Sequence, residues 1–232
     1  TPLTIDSRIW PRTAAIAERF WSSKDVNAID NMKRRLKVVS HQLEELGITH
    51  LSSSAVILRN LSNNYSIEAL QVLVSICEPL KIYSRNAGGT EYKTFSPFTL
   101  FADACTADAE AAAAFKIEVA LFINASNDSG KQIDSKAIQS YLRKWSDNHT
   151  KFVTIPSNPK LKPLEVLSEN LSEVSKILLT SLVNKKITHN EYDALKNSIM
   201  ILSNPHADVE LAILNPLNKL IKHIKFQYLK IN

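Results

Sequence analysis

The stretch "IDSRIWPRTAAIAERFWSSKDV", residues 5–26, decides how the chain is read. Two tryptophans, Trp10 and Trp21, bracket a dense helical segment. Trp10, Ala14, Ala17 and Trp21 recur at helical spacing, and Ile9, Ile16 and Phe20 form a second apolar stripe beside them. The spacing predicts one helix from about Ser7 to Trp21, with Ser7 as N-cap and Pro11 tolerated in the first turn. Only Arg12, Glu18 and Arg19 are left for a polar edge, so this helix wants cover on two sides.

Outward from that stretch the pattern stays helical. Asp25 is read as the cap of a helix over about 26–46, ended by Gly47, with Ile29, Met32, Leu36, Val39, Leu43 and Leu46 as one apolar seam. Helices are predicted near 53–62 and 66–77, the second capped by Ser66. A long ordered loop follows over 79–97, "PLKIYSRNAGGTEYKTFSP", and then a helix pair near 98–105 and 107–124. After the polar break "NASNDSGKQ" a helix runs from about 133 towards 154. The next begins at Pro163 and carries Leu164, Leu167, Leu171, Val174, Leu178 and Leu182 close to heptad spacing. "THNE" at 188–191 is a capping box opening a helix to about 203. The last helix is expected from about 207, with Pro216 as a kink or break. No stretch reads as a strand. The predicted fold class is all-α, a multi-helix bundle or array.

Composition agrees. Only 4 glycines occur in 232 residues. Barrels and open α/β sheets need many tight turns, so a complete (β/α)8 enzyme is disfavoured. No apolar run approaches the roughly 20 residues of a membrane span. The net charge of +5 invites a nucleic-acid reading. Its densest groups, "KRRLK" at 33–37 and "KLIKHIKFQYLK" at 219–230, fall on amphipathic helices, where a solvated outer face explains them. Neither nucleic acid nor membrane is expected as a partner. Cys77 and Cys105 form no Cys-x-x-Cys pair. Two buried thiols are the default, with a disulfide or metal ligation left as alternatives.

The opening residues carry a resemblance. Arg8, Ile9, Trp10, Pro11, Arg12, Ala15, Glu18, Arg19, Trp21 and Ser22 match, as they stand, a pattern close to R-L/I-W-P-R-x-x-A-x-A-E-R-L-W-S, with Phe20 in place of the usual Leu. This segment resembles the end of the catalytic domain of glycoside hydrolase family 20, the β-N-acetylhexosaminidases, over roughly the first 47 residues. The resemblance implies that residues 1–47 are terminal helices of the catalytic barrel, whose strands are absent from this chain. Residues 48–232 are then a helical C-terminal domain. It further implies a chain beginning just after the last barrel strand.

The family's chemistry is substrate-assisted: the acetamido oxygen attacks the anomeric carbon, a Glu protonates the leaving group, and the preceding Asp orients the acetamido group. This sequence contains no Asp-Glu dipeptide, so no position inherits a catalytic role. Asp103, Asp108 and Glu110 are read as helix-start and solvated residues. Ser66, Ser96 and Thr188 have no adjacent His, and His41 and His50 are read as surface residues. No metal site and no cofactor is expected. The candidate sugar contacts are Tyr83, Arg85 and Tyr92 in the 81–95 loop, weighed against the plainer reading that the aromatics anchor that loop.

The expectation is therefore a catalytically silent C-terminal part of a β-N-acetylhexosaminidase. Its partners would be the catalytic barrel and, through that barrel, a glycan, and its location periplasmic or extracellular. The alternatives are a self-standing helical interaction module and a carbohydrate-binding appendage. Lacking its barrel, the first helix would expose Trp10, Ile16, Phe20 and Trp21. Either a homo-oligomer forms through those residues or the helix is buried against residues 25–46.

Overall fold

The computed structural model describes residues 2–81, 84–87, 100–126 and 134–229. The predicted opening helix is two: α1 (Pro2–Ile9) and α2 (Arg12–Trp21). Proline lacks the N–H that would bond one turn back, and its ring disfavours helical backbone at the preceding Trp10. α1 therefore ends with the Trp10 amide on the Asp6 carbonyl at 2.8 Å, and α2 starts afresh after Pro11. α3 (Ile29–Glu45) begins later than the Asp25 cap predicted and has no side-chain cap. Its C-terminus follows the sequence. Gly47 adopts φ 90° while the Gly47 and Ile48 amides bond the carbonyls of Glu44 and Leu43, the paired bonds of a Schellman ending.

α4 (Ser52–Leu61) and α5 (Glu68–Val74) lead into a three-residue strand, β1 (Cys77–Pro79). The expected 79–97 loop holds a single turn of helix, α6 (Ser84–Ala87); most of its remainder lies outside the described residues. Then come α7 (Phe101–Ala104), α8 (Glu110–Ser126), α9 (Lys136–Phe152), α10 (Lys162–Asn184) and α11 (His189–Leu202). A second strand, β2 (Val209–Leu211), and α12 (Leu214–Tyr228) complete the order. Pro216 sits in the first turn of α12 instead of kinking a longer helix.

The fold is an all-α helical array with one small exception. β1 and β2 pair antiparallel, Cys77 opposite Leu211 and Pro79 opposite Val209. Strands of three residues are too short to show alternation in sequence. β2 is launched by a two-residue turn in which His206 and Val209 exchange both backbone bonds around Ala207 and Asp208, whose φ angles are 50° and 62°.

The core runs through the array, from Leu58 of α4, Leu73 of α5 and Phe101 of α7 to the α8–α12 helices. All six predicted seam residues of α10, Leu164 to Leu182, are buried. Across from them Trp145 of α9 meets Phe115 of α8 edge-on, centroids 4.7 Å apart. Burial of each such side chain is worth about 1.5–3 kcal/mol before entropy. The Thr188–Glu191 capping box opens α11 as the sequence predicts, the Glu191 amide donating to Thr188 Oγ1 at 3.2 Å. α1–α3 contrast with this. α2 buries none of its residues, and the α3 seam is only half-buried, with Ile29 and Leu46 exposed.

Candidate functional site

α1 and α2 are built inside out. Most of their large apolar residues face solvent: Ile5, Ile9 and Ile16 are exposed, Phe20 is 83% exposed and Trp21 91%, whereas Leu3 and Trp10, the latter expected to be exposed, are partly covered. Their anchors to the rest of the molecule are polar. The Asp6 carboxylate accepts from the Thr49 amide at 2.8 Å and the Thr49 hydroxyl at 3.0 Å. Those bonds hold its pKa below the usual carboxylate range. Arg8 donates to Asp103 at 2.7 Å, and Arg12 to Asp108 at 2.8 Å. On the α3 side Glu18 pairs with Arg35, while Arg19 donates to the carbonyls of Val26 and Ser23. Packing against residues 25–46 therefore engages the polar edge of α2 and leaves Phe20 and Trp21 uncovered. The expected burial of this helix against 25–46 is not what the structure shows.

Asp103 sits in the first turn of α7, as the sequence suggests, but it is not solvated. Its side chain is wholly buried and lies between two guanidinium groups, Arg8 on one side and Arg85 at 3.0 Å on the other. It also accepts from the Leu100 amide at 3.1 Å. A carboxylate taken out of water needs that many donors. Arg85 reaches on to Asp208 at 3.3 Å. Burial lowers the guanidinium pKa, but Asp103 and Asp208 outweigh it and raise the value. Of the three candidate sugar contacts, Arg85 is thus buried in a charge network. Tyr83 and Tyr92 lie outside the described residues.

His50 is likewise buried, correcting its reading as a surface residue; its Nε2 lies 2.6 Å from Ser40 Oγ. His41 is exposed as predicted. Cys77 and Cys105 are free and buried, and burial pushes both thiols upward, so neither is a ready thiolate. A cavity of about 210 Å³ is lined by Leu100, Phe101, Lys160, Pro163, Ala207 and Asp208. It brings one ammonium and one carboxylate together, not an acid pair. Among the described residues no three His, Cys, Asp or Glu side chains gather as metal ligands. Asp103 and Asp6 escaped the sequence reading because their partners lie 95 and 43 positions away, beyond any local pattern.

No family model matches the chain, and no curated protein does. A solved structure does: the X-ray structure of the Flavobacterium johnsoniae chitobiase, a family 20 enzyme. It is similar over 95% of this chain with a TM-score of 0.85 and 46% sequence identity. Over nearly its whole length the chain is similar to part of a family 20 enzyme. The match takes up 33% of the chitobiase, so the chain spans about a third of that protein's length. That share accords with the C-terminal part of a family 20 enzyme, which the Arg8–Ser22 motif indicates. No described helix is long and apolar enough to cross a membrane.

Proposed function

We propose that this chain is the non-catalytic helical part of a β-N-acetylhexosaminidase that removes terminal N-acetylhexosamine from glycans or chitin-type oligomers. Residues 1–47 are, in this reading, the last helices of the catalytic barrel, and residues 48–232 a helical domain carried behind it. The chain supplies no catalytic Asp-Glu pair. It supplies a surface.

The observation that carries this reading is the outward apolar face of the motif-bearing helices, with Phe20 and Trp21 almost wholly exposed. Contiguous apolar surface of this kind marks a face that another body covers. The matched chitobiase is about three times the length of the match, and its remaining two thirds are the natural occupant. The catalytic barrel is therefore the proposed partner and the glycan is the substrate of the assembled enzyme. The location expected for it, periplasmic or extracellular, belongs to the same proposal.

The test is hydrolysis of p-nitrophenyl-GlcNAc by this chain and, beside it, by a longer natural polypeptide that contains it. Silence from the chain with turnover by the longer polypeptide is the expected result. Turnover by the chain alone, or none by either, would overturn the reading.

A further inference from the structure

An amphipathic helix ordinarily docks by its apolar face and leaves its charges in water. α1 and α2 turn Ile5, Ile9, Ile16, Phe20 and Trp21 outward and cover Leu3, Ala14 and Ala15 only in part, so charge must carry much of their docking. We propose that Arg8 and Arg12 form a latch that docks α1–α2 on the helical body through Asp103 and Asp108, fixing the orientation in which the apolar face points away. The two arginines are four residues apart, and their two carboxylates flank the end of α7, 95 and 96 positions along the chain. The pairs differ in depth. Asp103 is buried and already held by Arg85, so it is a rigid receptor for Arg8, which is itself half-exposed. Asp108 is 83% exposed, so the Arg12 pair is a surface contact.

A ten-residue helix that buries nothing is marginal in water by itself. The order of α2 therefore reports on its docking. Charge docking is sensitive to salt, because the screening length falls from about 10 Å at 0.1 M to about 3 Å at 1 M. Apolar docking is not weakened that way. The use of the latch, holding the apolar face ready for the catalytic body, rests on the proposed function; the latch itself does not.

Amide hydrogen exchange over residues 12–21, compared with α8–α12, tests it on this chain. Arg8→Gln with Arg12→Gln is expected to speed exchange in α2 about ten-fold at low salt, with α8–α12 unchanged. Salt at 1 M is expected to bring the unaltered chain towards the variant and to move the variant less, since only the Glu18–Arg35 pair of α2 is then left to screen. Arg12→Gln alone, which touches only the exposed pair and cannot harm the core, is expected to give a smaller acceleration of the same kind. Unchanged α2 exchange in both variants, or faster exchange spread evenly over α8–α12, would overturn the latch. Hydrolysis plays no part in this readout, so the latch and the enzyme reading fail separately.

Discussion

Asp6 and Glu44 show how single side chains hold the turn between the first three helices and the rest. Glu44 accepts from the amides of Leu51 and Ser52 at 2.6 and 3.1 Å, while Asp6 grips Thr49. Partial burial pushes the Glu44 carboxyl up, but the amides outweigh it, and both carboxyls lie below their ordinary values when folded. A depressed folded value means stabilisation that is complete above the unfolded value, near pH 4, and lost as pH falls through the folded one. The melting temperature of the chain should therefore drop between about pH 5 and pH 3 more steeply than that of Asp6→Asn with Glu44→Gln. Parallel curves would show that these carboxylates contribute no linkage. Gly47 was legible in the sequence because only a positive φ explains a glycine closing an apolar helix. Asp6 was not, since nothing near it in the chain marks Thr49 as its partner.

At the scale of elements, legibility followed locality. The α10 leucine seam and the Thr188–Glu191 box are written within one or two helical turns, and the structure has both. The strands β1 and β2 and the burial of His50 depend on partners elsewhere and were missed; the break at Pro11 was missed although its cause is local, because that proline was taken for a first-turn residue. The apolar stripe of α2 was read as needing cover; the chain itself does not supply it. In isolation that stripe should pair two copies of the chain. Sedimentation should show association that rises with concentration and is abolished by Phe20→Ser with Trp21→Ser. Because both side chains are exposed, the same variant should leave the melting of the monomer within about 0.5 kcal/mol of the original. A monomer at every concentration would contradict the pairing.

The whole molecule divides into a well-packed core running from α4 to α12 and an opening segment, α1–α3, that adds no residue to that core and is tied on largely by charge. That division explains why the family was legible from the first 22 residues while the fold of residues 48–232 was read only as helices. The motif's charged residues Arg8, Arg12, Glu18 and Arg19 each have a specific partner in this chain, whereas a helical core accepts many apolar sequences. It also explains why Arg85 read in sequence as a sugar-contacting donor: its carboxylates come from α7 and the turn before β2, beyond local pattern. The central claim is that the Phe20–Trp21 face rests on the catalytic body. Its most direct measurement is the rate of heat inactivation of p-nitrophenyl-GlcNAc hydrolysis by a longer natural polypeptide carrying Phe20→Ser and Trp21→Ser. The account predicts inactivation at least ten-fold faster than in the unaltered enzyme, since losing two buried aromatics costs about 3–5 kcal/mol each. Inactivation at the unaltered rate would mean that the face is as bare in the enzyme as it is here, and would contradict the account.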